Sequence, residues 1–413
     1  MNGYRTFFAS FLVFFLTTGL TTPALAVSDA GEETRFFVQT GKGLAGKALR
    51  KVFGVRHEFL TGFTTDGSGL LTGASKIMGV EIIPVQRLNI LQEAPSSAGP
   101  AESAEPAVRG GTPGKQTLEP SPRPTPTVRI PWGTTMLYDG TEATPSGGSD
   151  VTVAVLDTGY RPHPDLDQRV VDCKDFSQRK ASVVEDTCED TNGHGSHVAG
   201  IIAADGGVDH LGIYGVAPEA SLYIYKVCGK NGSCWADDIA TAVTHAVDAG
   251  AHVLNLSLGA DNSSTLIADA IAYAADKNVL VVAAAGNDGP YEDSIDYPAA
   301  LETVVAVGAL DETATIATWS SRGINESTTQ GIIEERDIEL AAPGVNVEST
   351  YYTGGYAILS GTSMASPHIA GLAAKLWQGD AVATRDLLRS LTLPVDLGES
   401  GDDNAYGWGL PQL

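Results

Sequence analysis

Basic side chains are scarce in this 413-residue chain: 26 Lys and Arg stand against 50 Asp and Glu, a formal charge of −24. That balance repels nucleic acid and anionic membrane surfaces, so it argues against a general binder of either. No long apolar run follows residue 26, so no later segment is suited to span a bilayer. Cysteine is limited to Cys173, Cys188, Cys228 and Cys234, whose spacings do not give the paired C-x2–4-C ligands of a zinc site. The metalloprotease pattern H-E-x-x-H is missing at His194 and His197, which have no Glu between them. The G-x-S-x-G elbow of α/β-hydrolases is missing around Ser363. What remains is a globular composition, 43% hydrophobic and 18% charged, long enough for one large domain plus a small one.

The chain opens like a secreted precursor. Arg5, an apolar run from Phe7 to Leu16 and the small-x-small site Ala24-Leu25-Ala26 read as a signal peptide over residues 1–26. Export favours disulfides, and of the three possible pairings the local one, Cys173–Cys188 with Cys228–Cys234, needs the least rearrangement. Charge divides unevenly: residues 1–130 carry 13 basic and 10 acidic groups, and residues 131–413 carry 13 basic and 40 acidic. Opposite signs permit attraction between the two regions, although acidic surfaces also serve solubility alone.

Residues 27–91 form the first folding unit. Strands are expected over 35–39, 55–64 and 80–91, with helices over 43–54 and 69–78. Residues 92–129, crowded with Pro, Ser, Ala, Glu and Gly, read as an exposed linker. Residues 130–413 alternate short apolar strands (151–156, 252–256, 279–283, 304–307) with amphipathic helices such as 236–249 and 265–277. That alternation predicts an α/β domain, a parallel sheet between two helical layers, with its active site at the strands' carboxyl ends.

Three segments carry chemistry. Asp157 closes the strand 151–156, His194 sits between two glycines ahead of a helix of small residues, and Ser363 precedes an apolar helix. Each has an ordinary structural reading: turn cap, core histidine, helix cap. Ser360, Thr362, Ser363 and Ser366 compete for the role of nucleophile on sequence alone. An attacked carbonyl also needs donors for its developing charge, and Asn287, just past the strand 279–283, lies at the same edge. His197 reads as a hydrogen-bonded core histidine.

Asp157-Thr158-Gly159, His194-Gly195-Ser196-His197-Val198-Ala199-Gly200 and Gly361-Thr362-Ser363-Met364-Ala365 resemble the three signatures of subtilisin-like serine proteases, in the family's Asp, His, Ser order. Asn255-Leu256-Ser257-Leu258-Gly259 and Ala285-Gly286-Asn287 match two further family segments, and the resemblance covers about residues 130–410. It implies Ser363 as nucleophile, His194 as general base and acid, Asp157 as its orienting carboxylate, and Asn287 in the oxyanion hole. One such donor is worth about 3 kcal/mol in subtilisin itself. The resemblance also implies that Ser257, Leu258 and Gly259 pair with substrate backbone opposite Gly229–Ser233, including Gly229 and Gly232. Asp296, preceding Tyr297-Pro298, would face the bottom of the first pocket and favour a cleaved bond after Arg or Lys, unless it points to solvent.

A structural calcium ion is implied at Asp165, with Asp209 in the loop 205–213 as a partner ligand. Asp337 and Glu339 resemble a second, weaker site. The N-terminal unit resembles the family's ferredoxin-like inhibitory propeptide, which implies a zymogen, first cut after Leu91 and later trimmed toward Ile130, Arg129 being another possible cut. The leading expectation is therefore a secreted, monomeric, autoprocessed serine endopeptidase acting on proteins or peptides, in the extracellular space or a periplasm. A processing protease selective for basic residues and a non-catalytic peptide-binding homologue are the alternatives.

Overall fold

The computed structural model describes residues 34–41, 43–66, 80–91, 125–138, 145–179, 181–324, 333–392 and 397–413. The expected signal peptide, the expected helix 69–78 and linker residues 92–124 lie outside them.

Eight strands form the central sheet in the order Leu340–Pro343, Val304–Leu310, Leu280–Ala284, Val253–Leu256, Thr152–Asp157, Ser221–Lys226, Val170–Asp175 and Val184–Glu185. The first seven run parallel, and the last turns back antiparallel. Side chains alternate across this sheet, as strand geometry requires. Val153, Val155, Val253, Leu280, Val282, Val305 and Val307 pack on one face with the helices His194–Ala203 and Thr362–Lys375. Ala154, Leu156, Leu254, Leu256, Val281, Ala283, Val304 and Ala306 pack on the other with Ala236–Asp248 and Thr265–Asp276. In Thr265–Asp276 the buried residues are Leu266, Ile267, Ala270, Ile271 and Ala274, a single apolar stripe at helical spacing. The three-layer α/β architecture is the one expected.

The alternation also positions the chemistry. Asp157 follows Leu156, so it faces the side of the sheet that carries the helices beginning near His194 and Ser363, which pack against each other. Parallel strands end at a common edge, and Asp157, Ser257 and Asn287 all sit there.

The N-terminal unit is a four-stranded antiparallel sheet, ordered Glu58–Phe59, Gly62–Asp66, Arg35–Gln39, Glu81–Pro84, with the helix Leu44–Phe53. Two expectations are corrected here. The expected strand 55–64 is a hairpin turning at Leu60, which is 88% exposed; an apolar residue at a turn disguised the break. The expected strand 80–91 is two strands. Pro84, without an N–H, ends the first, and Arg87–Ile90 enters a different sheet, between Ser233–Trp235 and Leu258–Gly259.

The unit's own core is small: Val38, Leu49 and Phe63 are its buried cluster. Phe37 and Leu88 are instead buried in the large domain's core. The shortage of internal core is what a unit of this length is expected to show. Charge completes the contact. Arg35 Nη1 reaches Asp237 Oδ1 at 3.0 Å and Asp238 Oδ2 at 2.8 Å. Arg56 Nη2 and His57 Nε2 reach Asp238 Oδ1 at 2.9 and 2.8 Å, and Thr64 Oγ1 donates to Asp237 Oδ2 at 2.8 Å. Asp237 and Asp238 are fully buried in the first turn of Ala236–Asp248, where the helix dipole favours carboxylates.

Candidate active site

His194 begins its helix, and its ring is held from below by Asp157. Nδ1 lies 2.8 Å from Oδ1 and 2.9 Å from Oδ2, and both residues are fully buried. A carboxylate on Nδ1 keeps the proton there and leaves Nε2 as the basic nitrogen. Nε2 is buried and has no hydrogen-bond partner among the described residues.

The loop that carries His194 is organised by a residue the sequence reading overlooked. Asp190, fully buried, accepts bonds from Thr158 Oγ1, the N–H groups of Asn192, Gly193 and Ser196, and Ser196 Oγ. Thr158 Oγ1 in turn accepts from Gly195 N–H at 2.8 Å. The signal was present, since Asp at the start of an Asp-x-Asn-Gly turn before a helix is a capping pattern. One other histidine here is structural. His197 Nε2 meets Val347 O and Ala357 O at 3.0 and 3.1 Å, and burial, then the nearby His194, lowers its pKa to about 3. His197 is thus the expected core histidine.

Ser363 is the second residue of Thr362–Lys375. Its hydroxyl donates to Ser257 O at 2.9 Å and accepts Leu91 N–H at 3.1 Å; no bond to His194 is made in this arrangement. The N–H of Ser363 faces Leu91 O at 3.3 Å. Asn287 Oδ1 accepts from Thr362 N–H and Thr362 Oγ1 at 3.0 and 2.9 Å, which identifies the amide nitrogen as the end able to donate. Leu91 therefore lies across Ser363, its N–H on the hydroxyl and its carbonyl on the helix-start N–H.

The residues before Leu91 are held as a middle strand. Leu258 and Gly259 pair with Ile90 and Asn89, and Ser233, Cys234 and Trp235 pair with Asn89, Leu88 and Arg87. Leu91 N–H also reaches Ser257 O at 3.3 Å, and Ile90 N–H reaches Gly232 O at 3.0 Å. The second edge thus runs from Gly232 to Trp235. Gly229 sits one turn back, bonded to Ser233 and Gly232 and not to residues 87–91. Gly232 must lack a side chain, because a Cβ there would come within 2.8 Å of Ile90. The disulfides Cys173–Cys188 and Cys228–Cys234 have the expected pairing, and the second brackets this edge. Asp296 lies under the Leu91 side chain, against Gly259 and Gly286.

Asp165 is buried, and its Oδ2 accepts from Ile213 N–H at 2.8 Å and Tyr356 Oη at 2.7 Å. Its Oδ1 faces the loop 205–213. A Cβ at Gly207 would stand 3.2 Å from Asp165 Oδ1 and 3.6 Å from Asp209 Oδ1, so glycine leaves a small cradle lined by carboxylate oxygens. Such a donor set fits a hard cation. The second expected site is corrected: Glu339 is engaged by Arg385 at 2.7 Å, so a guanidinium already occupies the place of a cation.

A family model described as "Subtilase family" matches residues 148–409. The chain belongs to the subtilase family. It is 39% identical over 96% of its length, and 96% of the relative's, to "Subtilisin" of Bacillus sp. (strain TA39). It is 41% identical to "Subtilisin Savinase" of Lederbergia lenta, over 68% of this chain and 96% of the relative's. The solved structure titled "Sphericase" superposes with a TM-score of 0.67 at 43% identity, covering 70% of this chain and 99% of that one. This subtilase is a serine-type endopeptidase, which removes the non-catalytic alternative.

Proposed function

We propose that this subtilase cleaves peptide bonds with Asp157, His194 and Ser363 and is made as a precursor silenced by its own residues 27–91. The observation that carries the reading is the seating of residues 87–91: a middle strand whose last carbonyl meets Ser363 N–H and whose last N–H meets Ser363 Oγ. A protein or peptide substrate takes the same course through the cleft, between Gly232–Trp235 and Ser257–Gly259.

The Ser363 hydroxyl turns from Ser257 O to His194 Nε2, leaving the N–H of Leu91, or the equivalent N–H of a substrate, on Ser257 O. Nε2 takes the proton as Oγ bonds to the carbonyl carbon, and Asp157 stabilises the resulting imidazolium. The oxyanion draws on Ser363 N–H and the Asn287 amide. His194 then protonates the departing amine as the C–N bond breaks, and water releases the acyl group by the reverse roles.

In this reading residues 1–26 direct export, residues 92–129 are a removable linker, and residues 130–413 form the mature, monomeric secreted enzyme. The first cut falls after Leu91. Asp165 and Asp209 hold a calcium ion that stabilises the loop 205–213 and takes no part in the chemistry. Leu91 in the first pocket argues against an enzyme restricted to basic residues. Fluorophosphonate labelling with N-terminal sequencing tests the whole reading. Wild-type protein is expected to label at Ser363 and lose its first 91 residues or more, while Ser363→Ala stays unlabelled and unprocessed. Proteolysis by Ser363→Ala protein would refute the assignment.

A further inference from the structure

Beside the Leu91 side chain stands a buried carboxylate for which bond cleavage has no use. Asp296 is 3% exposed, yet no side-chain hydrogen bond or ion pair reaches its carboxylate among the described residues. Its Oδ2 stands against two bare backbones: a Cβ at Gly259 or at Gly286 would lie 2.9 or 3.0 Å from it. The same point on Gly259 is 3.0 Å from Leu91 Cδ1, so the carboxylate and the tip of the seated side chain share one wall. Asp261 and Asp288, both exposed, place a carboxylate oxygen within 4.8 Å of that of Asp296. The cation on this side is Arg336, which is bonded to Asp293 and lies over the Tyr297 ring at 5.7 Å.

A buried carboxylate without a partner is unstable as an ion. Burial, then Asp288, then Asp261, push the Asp296 pKa up to about 7, with Arg336 opposing them. Asp288 is itself raised, by burial and by Asp261. In its protonated form Asp296 offers little penalty to an aliphatic group, which is the kind of side chain the structure holds there. In its ionised form it has no ion-pair partner among the described residues, and a guanidinium entering beside it would supply one with two parallel hydrogen bonds.

We propose that Asp296 makes the first pocket exchange its preferred side chain with pH, aliphatic when the carboxyl is protonated and cationic when it is ionised. The inference rests on the reading of residues 87–91 as seated in the cleft of Ser363. Asp261 and Asp288 serve as the surrounding field that sets where the exchange falls.

The test compares kcat/KM of the mature enzyme for three peptides that differ at one residue, Leu, Arg or citrulline before the cleaved bond, between pH 5.5 and 9 at fixed calcium and ionic strength. Ionisation of the catalytic machinery scales all three alike, so ratios isolate the pocket. The Arg/Leu ratio is expected to rise at least tenfold across this range, while citrulline/Leu stays level. Asp296→Asn is expected to hold Arg/Leu level as well. A level Arg/Leu ratio in the wild type overturns the proposal, whether or not the variant folds. A rise of equal size in Asp296→Asn overturns it too, because the switch would then belong to Asp261 and Asp288. If Ser363→Ala protein cleaves the peptides as well as wild type, the underlying reading fails instead, a result distinct from either of these.

Discussion

Replacing Arg56 by alanine removes one guanidinium from a buried charge cluster that joins the N-terminal unit to the enzyme. Arg56 gives Nη2 and Nε to Asp238 Oδ1 at 2.9 and 3.2 Å, Nη1 to Gln178 O at 2.8 Å and Nη2 to Phe176 O at 3.1 Å. Breaking a buried pair from one side costs about 3–5 kcal/mol, because the remaining charge stays desolvated. Asp238 would keep Arg35 and His57, so the low end, about 3 kcal/mol, is expected. That is about a 100-fold rise in the inhibition constant of residues 27–91 added to mature enzyme. Slow-binding inhibition kinetics measure it. Arg50→Ala is the control, since Arg50 pairs with Glu58 inside the N-terminal unit at its exposed side; about a threefold change or less is expected there. Adding Asp238→Asn to Arg56→Ala is expected to weaken inhibition further, because Arg35 and His57 then lose the Asp238 carboxylate as well. A change below about threefold for Arg56→Ala would refute the view that this cluster holds the two parts together.

Asn287→Ala is expected to lower kcat by about 100- to 1,000-fold with little change in KM, as for the equivalent donor in subtilisin itself; a loss confined to KM would assign Asn287 to ground-state binding. Asp190→Ala strands five donors around the His194 loop. Urea unfolding should register a loss of about 3 kcal/mol or more, with activity falling in the folded fraction; a neutral outcome would show that water replaces the carboxylate. Chelation of calcium should lower the thermal midpoint of the mature enzyme, and Asp165→Asn should lower it in calcium and blunt the chelator's further effect. A chelator effect undiminished in Asp165→Asn would place the ion elsewhere.

The central sheet was legible because its strands are buried on both faces and so read as unbroken apolar runs. Expected and observed bounds differ by a residue or so at Thr152–Asp157, Val253–Leu256 and Leu280–Ala284. Legibility failed where local pattern and tertiary partner diverge. Leu60 is an exposed apolar residue in a turn, and Val85-Gln86 carries the chain from one sheet to another without changing composition. Asp190 was passed over for a related reason. A carboxylate reads as a surface group until its buried ring of N–H donors is seen.

The sequence by itself determined the α/β alternation, the linker's composition and the identity of the groups at the strand ends, because these follow from hydrophobic period and from residue types in a fixed order. Only the tertiary structure decided that Leu91 lies across Ser363, that Arg35, Arg56 and His57 meet Asp237 and Asp238, and that Asp296 is buried with no ion-pair partner among the described residues. Each joins residues far apart in the chain through contact, desolvation and hydrogen bonding. Those quantities depend on what surrounds a side chain in space, and its neighbours in sequence do not specify them.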